Sequence, residues 1–367
     1  MRVAVVTPRF PPDPGGVEQY AAWVVRTLRD AGHDVRVVTT GRSRRTRHMT
    51  YDGVPVVRLG TWWTVSNTPV NPLWAWQLRR HLRGVDVVDA HAPVPGLADL
   101  AAYLSPAPVV LTYHAGSLAK GGRVDRLLRA YERRVLPRVF DRCAALVAVS
   151  PVSLAQATGR ARLIPPGVDE ATFSPGSEPR SRSVLYVGRV ERTSRWKGLH
   201  VLLDALALLR DLVPGVRLDV VGDGDDVRTL QSRAAALGVA DLVTWHGSRP
   251  HAELPACYRR AGVTVLPSLT EAESFGMTLA EALACGCPVV GSAVGGIPFV
   301  VRDGVDGRLV PPGDPTALAA ALAAVLTDPP VVETSRWDWG SRVADRLAVL
   351  EDVVAQAAGP AVVEGVA

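Results

Sequence analysis

The alternation of two kinds of segment constrains the fold of this chain more than any other feature of its sequence. Short apolar runs rich in β-branched residues alternate with helix-length amphipathic segments along almost the whole chain. Parallel strands need long crossover connections, usually helices, so the alternation predicts parallel sheets covered by helices. In the first half the pattern predicts strands near residues 2–7, 34–39, 54–59, 85–90, 108–113 and 145–149, with helices near 16–31, 73–83, 95–104 and 122–141.

A stretch rich in proline and glycine, residues 164–176, interrupts this pattern and is typical of a linker. The pattern then restarts and predicts strands near residues 184–188, 216–221, 242–246, 263–266 and 288–291, with helices near 198–211, 226–238, 251–261, 276–285 and 314–327. A length of 367 residues favours two domains over one. We therefore predict an α/β protein with two doubly wound domains of similar size.

The composition is that of an ordinary globular protein, with 47% hydrophobic and 21% charged residues. A net charge of +5 permits anionic small molecules or an anionic membrane surface, but it does not indicate nucleic-acid binding. Among the 41 basic residues only Lys120 and Lys197 are lysines. Biased codon usage is the simplest interpretation of this excess of arginine.

The cysteines and the apolar runs indicate a reduced, cytoplasmic protein. Cys143, Cys257, Cys285 and Cys287 show neither a CxxC pair nor a zinc-binding spacing. The apolar run before Pro8 is too short for a signal peptide, and no run reaches the ~18 residues of a membrane span.

Chemically distinctive residues follow the predicted strands, at the sheet edge where ligands of open parallel sheets bind. In chain order they are Gly15, Gly16, Glu18, His91, His114, Arg189, Gly222 and Glu273. Two such edges facing each other would form a single cleft between the domains. Each histidine taken alone is better explained as a satisfied residue at a sheet edge.

Two of these features have the chemistry of an anion site. Gly15 and Gly16 precede a predicted helix, whose first amide groups attract an anion, although a plain loop-to-helix turn has the same sequence. Arg189 and Lys197 combine a planar fork with a point charge, which suits a diphosphate, although each could be a solvated surface cation.

Glu273 and Glu281 lie eight residues apart around the start of a predicted helix. The amides of Phe275, Gly276 and Met277 would face an anion there, and the two carboxylates would accept hydrogen bonds from hydroxyls on either side of it. The alternative for Glu281 is an exposed helix residue, but its helix is apolar nearly all round, so the carboxylate needs a partner. Residues 221–227 lack the third glycine of a dinucleotide fingerprint, which disfavours an NAD enzyme.

Taken in order, these residues and several short motifs resemble a retaining glycosyltransferase of family 4 with the GT-B fold, in which two Rossmann-like domains face each other across a cleft. The motifs are Gly-Gly-Val-Glu at 15–18, His91, Thr-Tyr-His at 112–114, Ile-Pro-Pro-Gly-Val-Asp at 164–169, Val-Gly-Arg at 187–189, Trp-Lys-Gly at 196–198, Val-Val-Gly-Asp-Gly at 220–224, the Glu273/Glu281 pair, Gly-Cys-Pro-Val-Val at 286–290 and Gly-Gly-Ile-Pro at 295–298. The glutamate pair with its Ser-Phe-Gly continuation is the most specific of them.

The resemblance implies a role for each matching residue. The catalytic residues would be His114, Glu273, Arg189 and Lys197. The donor would be bound by Gly16, Arg189, Lys197, Gly222, Glu273, Ser274, Phe275, Gly276, Met277 and Glu281. The acceptor would be bound by Glu18, His91, Tyr113 and Lys120. Within this set the two cations would hold the diphosphate, Glu273 the sugar hydroxyls and Glu281 the ribose.

The implied reaction moves a sugar from a nucleoside-diphosphate sugar, UDP- or GDP-linked, to a hydroxyl of a small-molecule or lipid-linked acceptor. It would retain the anomeric configuration, use no cofactor or metal, and serve cell-envelope or secondary-metabolite glycoside synthesis. Two alternatives remain: a sugar-nucleotide epimerase of the same fold, and a non-catalytic binding protein. The expected domains are residues 1–168 with 337–355 for the acceptor and 169–336 for the donor, followed by a loose tail, 356–367.

Two features of the first half are candidates for a peripheral contact with the inner membrane face. Trp62, Trp63, Trp74 and Trp76 lie close together in sequence. Residues 123–142 carry seven arginines against three acidic residues in a largely helical pattern that is interrupted at Pro137. The alternative is a tryptophan-lined acceptor pocket beside a solvated basic helix.

Overall fold

The computed structural model describes residues 1–13, 15–65, 68–119 and 124–359. Over these residues the chain forms two compact units. The first contains residues 1–118, 124–165 and 341–359; the second contains residue 119 and residues 166–340.

The first unit is built on an eight-stranded sheet with the order β10-β9-β8-β7-β1-β2-β4-β3. Its strands are β1 (Arg2–Val6), β2 (Asp34–Thr40), β3 (Arg47–Tyr51), β4 (Val54–Leu59), β7 (Val87–Ala92), β8 (Val109–Tyr113), β9 (Ala145–Ala148) and β10 (Ala161–Leu163). Neighbouring strands are parallel except β3 and β4. A separate antiparallel hairpin joins β5 (Trp63–Val65) and β6 (Thr68–Val70).

The helices of the first unit are α1 (Gly16–Asp30), α2 (Trp74–His81), α3 (Leu97–Leu104), α4 (Asp125–Arg134), α5 (Leu136–Arg142) and, after the second unit, α12 (Gly340–Ala358). Strands β7 and β8 are buried along their whole length. Such continuous burial is typical of parallel strands covered by helices on both faces.

The second unit contains a fully parallel six-stranded sheet with the order β13-β12-β11-β14-β15-β16. Its strands are β11 (Ser183–Val187), β12 (Arg217–Val221), β13 (Val243–Gly247), β14 (Val263–Leu266), β15 (Val289–Ser292) and β16 (Gly307–Val310). Its helices are α6 (Leu199–Leu212), α7 (Val227–Ala236), α8 (Leu254–Arg260), α9 (Met277–Ala284), α10 (Ile297–Val300) and α11 (Pro315–Thr327). Alternate residues of β11 enter two separate apolar clusters, so both faces of this sheet carry a core.

The main strands and helices lie close to their predicted positions, but the pattern misses five short strands: β3, β5, β6, β10 and β16. The segment predicted as largely helical near 122–141, with an interruption at Pro137, is helical over its described part and is interrupted close to that point. It is two helices, α4 and α5, that meet at Val135. Pro137 lies in the first turn of α5, where its missing N–H is tolerated, whereas in the interior of one long helix it would break the hydrogen-bond ladder.

The course of the chain between the units differs from the expected one. Trp337, expected in the first domain, belongs to the second unit, because its carbonyl accepts a hydrogen bond from the amide of Val168 at 2.6 Å and its ring packs against Phe275. Val168 itself also lies in the second unit. Helix α12 extends to Ala358, so residues 356–358 are helical rather than part of a tail; residues 360–367 lie outside the described residues.

All four cysteines are free thiols. None of the described helices combines the length and the apolar character that crossing a bilayer requires.

Candidate active site

The loops at the carboxyl edge of the second sheet are held together by close backbone contacts that only glycine permits. Gly222 has a φ of 148°, and a Cβ atom there would lie 1.8 Å from the carbonyl oxygen of Gly188. Gly198 has a φ of 76°, and its Cβ would lie 1.9 Å from the oxygen of Pro267. The loops after β11, β12 and β14 are therefore packed backbone against backbone, which fixes the side chains that they carry.

An ion pair also joins two of these loops. Asp226, which is 1% exposed, receives two hydrogen bonds of 2.6 Å from the guanidinium of Arg195. This bidentate pairing lowers the pKa of Asp226. The contact holds the 3-10 segment Arg192–Lys197, at whose end Lys197 lies, against the loop after β12.

Lys197 and Glu273, predicted to bind different parts of one ligand, contact each other. The Nζ atom of Lys197 lies 2.8 Å from Oε2 of Glu273, which also accepts a hydrogen bond from Ser268 at 3.3 Å. The lysine ammonium lies 4.7 Å from the ring centre of Trp196. Both charged side chains are largely buried, with 18% and 11% exposed. Lys197 and Glu273 are thus each other's partner. A phosphate could replace the carboxylate as the partner of Lys197, and a hydroxyl could replace the ammonium as the partner of Glu273.

Arg189 differs from Lys197 in its surroundings. Its side chain is exposed, and it makes no hydrogen bond or ion pair with the part of the chain that the structure describes. A guanidinium that is already solvated and unpaired is available to an anion without loss of a protein contact.

The start of α9 brings the predicted donor-binding amides to the same edge. Gly276 caps the helix with a φ of 98°, and Phe275 before it is buried against Trp337 and Phe299. The side chain of Phe275 is therefore a core residue, and only its backbone can meet a ligand. Gly295 and Gly296 pack on the carbonyl groups of Glu273 and Ser274, where a Cβ would approach to 2.1 Å, so the loop before α9 is braced from behind.

Glu281, on the buried face of α9, has two protein partners that the sequence did not reveal. Its Oε1 lies 3.0 Å from Nε2 of His251, and its Oε2 accepts a hydrogen bond of 2.8 Å from the hydroxyl of Tyr258. Burial acts to lower the pKa of His251, but the hydrogen bond to Glu281 and the attraction of Glu281 and Asp169 raise this pKa overall. The apolar surroundings of Glu281 indicated a need for partners, but no local pattern identified which residues would supply them.

In the first unit the helix start predicted to meet an anion is covered by an acidic side chain. Gly15 has a φ of 152°, and a Cβ there would lie 2.2 Å from Oε2 of Glu18. Glu18 is 8% exposed and lies in the first turn of α1, next to Gly16. Its negative charge favours the helix start and would repel a phosphate at the same amides.

His91 and His114 contact each other at the ends of β7 and β8. Nδ1 of His91 lies 3.1 Å from Nε2 of His114, and the rings are stacked with centres 5.3 Å apart. The ring of Tyr20 lies edge-on to both histidines. Burial lowers the pKa of both histidines well below the ordinary value, and the charge of Arg346 adds to this effect. Both rings are therefore neutral near pH 7.

A buried ion pair lies beneath this histidine pair. Asp89 on β7 is 0% exposed and pairs with Arg346 on α12, which is 1% exposed. Asp89 Oδ1 lies 3.7 Å from Nε2 of His91. Burial raises the pKa of Asp89, an effect that Arg346 opposes. Neither residue was predicted from the sequence, since an acidic residue within a strand and an arginine within a helix are common features when each is taken separately.

Two of the predicted acceptor contacts do not fit the structure. The side chain of Tyr113 is 0% exposed and packs in the core against Phe140, so its predicted contact with an acceptor is wrong for the side chain. His91 is likewise 0% exposed and lies under His114, so it has no surface for an acceptor. The predicted contact through Lys120 falls outside the described residues.

A cavity of about 230 Å³ lies at the carboxyl edge of the first sheet. Its lining includes Arg9, Asp13, Arg42, Thr61 and Thr64. Asp13 bridges Arg42 at 3.1 Å and the largely buried Arg58 at 3.0 Å. The cavity is therefore polar, with more basic than acidic groups.

Sequence comparisons identify two family models in the chain. Residues 14–172 match the glycosyltransferase family 4 model, and residues 168–343 match the model of glycosyl transferases group 1. A D-inositol 3-phosphate glycosyltransferase of Acidothermus cellulolyticus is 32% identical over 94% of this chain and 87% of its own length. A phosphatidyl-myo-inositol mannosyltransferase of Mycolicibacterium smegmatis is 30% identical over 96% of this chain and 94% of its own length.

Solved structures of other proteins have the fold that the sequence predicted. The Anabaena protein HepE, in complex with UDP and glucose, superposes with a TM-score of 0.75 at 21% identity, covering 96% of this chain and all of HepE. Sucrose-phosphate synthase from Thermosynechococcus elongatus gives a TM-score of 0.71 at 24% identity, over 98% of both chains. The predicted GT-B fold, with two Rossmann-like halves, is confirmed. Because the relatives are glycosyltransferases, the epimerase alternative is not favoured, and the chain belongs to the glycosyltransferases of family 4.

Proposed function

We propose that this glycosyltransferase moves a sugar from a nucleoside-diphosphate sugar to a hydroxyl of a polyol-type acceptor, either a small molecule or a lipid headgroup. We further propose that the anomeric configuration is retained and that no metal is required. Such a reaction would serve cell-envelope or secondary-metabolite glycoside synthesis.

The contact between Lys197 and Glu273 carries the donor part of this proposal. It places one ammonium and one carboxylate 2.8 Å apart at the carboxyl edge of the second sheet. A sugar phosphate presents an anion next to a set of hydroxyls, so it would offer each of these side chains a new partner. The unpaired, exposed Arg189 would add a second cation for the diphosphate.

Arg189 and Lys197 also support the proposal that the reaction requires no metal ion. When the bond between the sugar and the phosphate breaks, negative charge develops on the leaving diphosphate. Prearranged cations stabilise such charge most strongly where water is scarce, and removing one such group commonly costs about 10²–10³-fold in rate. Arg189 and Lys197 would supply this stabilisation in place of a divalent ion.

The acceptor part of the proposal rests on the relatives and on the first unit. Both curated relatives carry an inositol compound in their names, and the match with HepE, which was solved with UDP and glucose, makes UDP-glucose a suitable first donor to test. In the first unit, the polar cavity near Arg9 and Arg42 has the size and excess of basic groups for a small polyol that carries an anionic group.

A thermal-shift panel of UDP-, GDP-, ADP- and dTDP-sugars tests the donor. A ligand that binds only the folded protein increases its free energy of unfolding, by about 2.7 kcal/mol at 100 times Kd, and so raises its Tm. We expect one nucleotide series to raise the Tm of the native protein and not that of the Lys197→Ala variant. A panel in which no nucleotide sugar raises the Tm would contradict the proposal.

Release of the nucleoside diphosphate with and without cyclitol acceptors then tests the transfer. We expect release to depend on the acceptor and to continue in excess EDTA. NMR of the product should show the anomeric configuration of the donor. An inverted product, or activity that EDTA abolishes and a divalent ion restores, would overturn the corresponding part of the proposal.

A further inference from the structure

The buried ion pair between Asp89 and Arg346 is not explained by stability alone. Removing two charges from water is expensive, and apolar residues of similar volume often stabilise a core as well or better. Within the described part of the chain, Nε and Nη1 of Arg346 and Oδ2 of Asp89 make no hydrogen bond. An ion pair that leaves three buried polar atoms without hydrogen bonds stabilises the core poorly, so its role depends on the residues next to it.

The neighbour is the histidine pair. Oδ1 of Asp89 lies 3.7 Å from Nε2 of His91, and this nitrogen has no hydrogen-bond partner among the described residues. A bare nitrogen lone pair facing a carboxylate oxygen in a dry core would be repelled. A proton on Nε2 instead gives an attraction, so the carboxylate favours the Nε2–H tautomer of His91.

This choice propagates to His114. With its proton on Nε2, neutral His91 presents a bare Nδ1, which lies 3.1 Å from Nε2 of His114. That contact is a hydrogen bond only if His114 carries its own proton on Nε2. Nδ1 of His114 is then a bare acceptor, and it has no partner within the described ranges. His114 is the more exposed of the two histidines, at 7%.

We propose that Asp89 and Arg346 are positioning residues that fix His91 and His114 in the Nε2–H tautomers, so that His114 offers a neutral Nδ1 acceptor to a substrate hydroxyl. The inference rests on the proposed function only in that the hydroxyl belongs to the sugar or to its acceptor. Arg346 holds the carboxylate in place, and its positive charge adds to burial, the main effect that keeps the histidine pair from protonating. The groups that face the pair are Tyr20 from α1, Asp89 from β7 and Arg346 from α12.

The tautomers can be measured without any substrate. Long-range ¹H–¹⁵N correlation of ¹⁵N-histidine protein distinguishes protonated from bare ring nitrogens, and the eight histidines can be assigned with His91→Gln and His114→Gln variants. We expect a bare Nδ1 and a protonated Nε2 on His114 in the native protein. A protonated Nδ1 on His114 would overturn the inference, whatever the enzymatic activity proves to be.

The double variant Asp89→Asn/Arg346→Met removes both charges together and so avoids leaving one buried and unpaired. In this double variant we expect a mixture of His114 tautomers. We also expect the acid limb of the pH profile of kcat/KM to move to higher pH. We also expect kcat to fall about tenfold, the value of one hydrogen bond in a dry site, with little change in the donor KM. Unchanged histidine spectra and pH profile in the folded double variant would contradict the inference.

The exposed pair of Arg162 and Asp352 provides the matched control. It also joins α12 to the sheet of the first unit, through a 2.7 Å contact, but both side chains are about half exposed. The variant Arg162→Met/Asp352→Asn should leave the histidine tautomers and the pH profile as in the native protein. Equal effects of the two double variants would show that only the attachment of α12 matters and would reject a positioning role.

Discussion

At the carboxyl edge of the first sheet two stacked histidines are neutral, whereas at the edge of the second sheet His251 is held near a carboxylate that raises its pKa. Both edges occupy the same position in a parallel sheet. Burial lowers the pKa of the histidines at both edges. In the first unit the charge of Arg346 acts in the same direction, whereas in the second the hydrogen bond and the charge of Glu281 outweigh burial. In these two units, therefore, position in the fold locates a histidine at the edge, but its neighbours decide its charge.

We expect the largest loss of activity on removal of Lys197, the largely buried cation at the carboxyl edge of the second sheet. We expect Lys197→Ala to lower kcat/KM for transfer about 10³-fold, because the leaving phosphate loses its ammonium. Lys197→Arg should also be impaired at least about tenfold, since a guanidinium is wider than the ammonium that fits between Trp196 and Glu273. Steady-state kinetics would measure both.

Arg192→Ala is the control for Lys197, because Arg192 is exposed on the same 3-10 segment. Its activity should stay within about twofold of the native protein, as for an ordinary surface position. If the Lys197→Ala variant transfers the sugar at the native rate, the donor site does not lie at the carboxyl edge of the second sheet.

Glu281→Ala tests whether this carboxylate is structural as well as functional. The substitution leaves His251 and the buried hydroxyl of Tyr258 without their acceptor. We expect a loss of about 2 kcal/mol in the free energy of unfolding, a decrease in Tm of about 5 °C, together with loss of donor binding. Differential scanning calorimetry and nucleotide titration would measure the two effects.

Tyr258→Phe separates these two roles, because it removes one hydrogen bond and retains the carboxylate. It should lower the Tm by a smaller amount and leave donor affinity within about threefold of native. If Tyr258→Phe weakens donor binding as much as Glu281→Ala does, the carboxylate has no direct contact with the nucleotide.

The pH dependence of stability should have opposite signs at the two edges. The pKa of His114 is lowered in the folded protein, so its contribution is complete above the unfolded value of about 6.5 and is lost as pH falls below it. The pKa of His251 is raised, so its contribution is complete below about 6.5 and is lost as pH rises through the folded value. We expect His114→Gln to flatten the acid side of a plot of Tm against pH and His251→Gln to flatten the alkaline side. Parallel curves for both variants and the native protein would contradict the assigned charges.

The smallest expected effect is membrane binding by the first unit. The predicted tryptophan group has only three exposed members, Trp62, Trp63 and Trp76, because Trp74 is buried and donates a hydrogen bond to the carbonyl of Gly60. We predict that they and the exposed arginines of α4 contact anionic lipid, with about 1 kcal/mol for each basic residue near the surface. We expect flotation with anionic liposomes at low salt and none with neutral ones. Absence of flotation at low salt would reject the membrane interpretation.

The sequence was informative where structure depends on local pattern. The strands β7 and β11 are buried along their length, as expected for parallel sheets covered by helices. Short edge strands such as β10 and β16 were missed because a few residues carry no distinct period. The roles assigned to the site residues remain predictions.

Long-range pairings were beyond the reach of the sequence. Asp89 and Arg346 are 257 residues apart, and nothing in either segment indicates its partner. Tyr113 was misjudged for a related reason: its position at the end of a strand was visible, but the face on which its side chain lies depends on the register against β7 and β9.

The ion pair between Lys197 and Glu273 also bears on how substrate and product would be told apart. A ligand that attracts only the ammonium, such as a free nucleoside diphosphate, would leave a largely buried carboxylate without its counter-ion. A ligand that brings sugar hydroxyls as well would compensate both side chains at once. The ion pair of Lys197 with Glu273 would therefore compete with the free nucleoside diphosphate more strongly than with the intact sugar donor. Re-formation of the pair would also favour release of the leaving group after transfer.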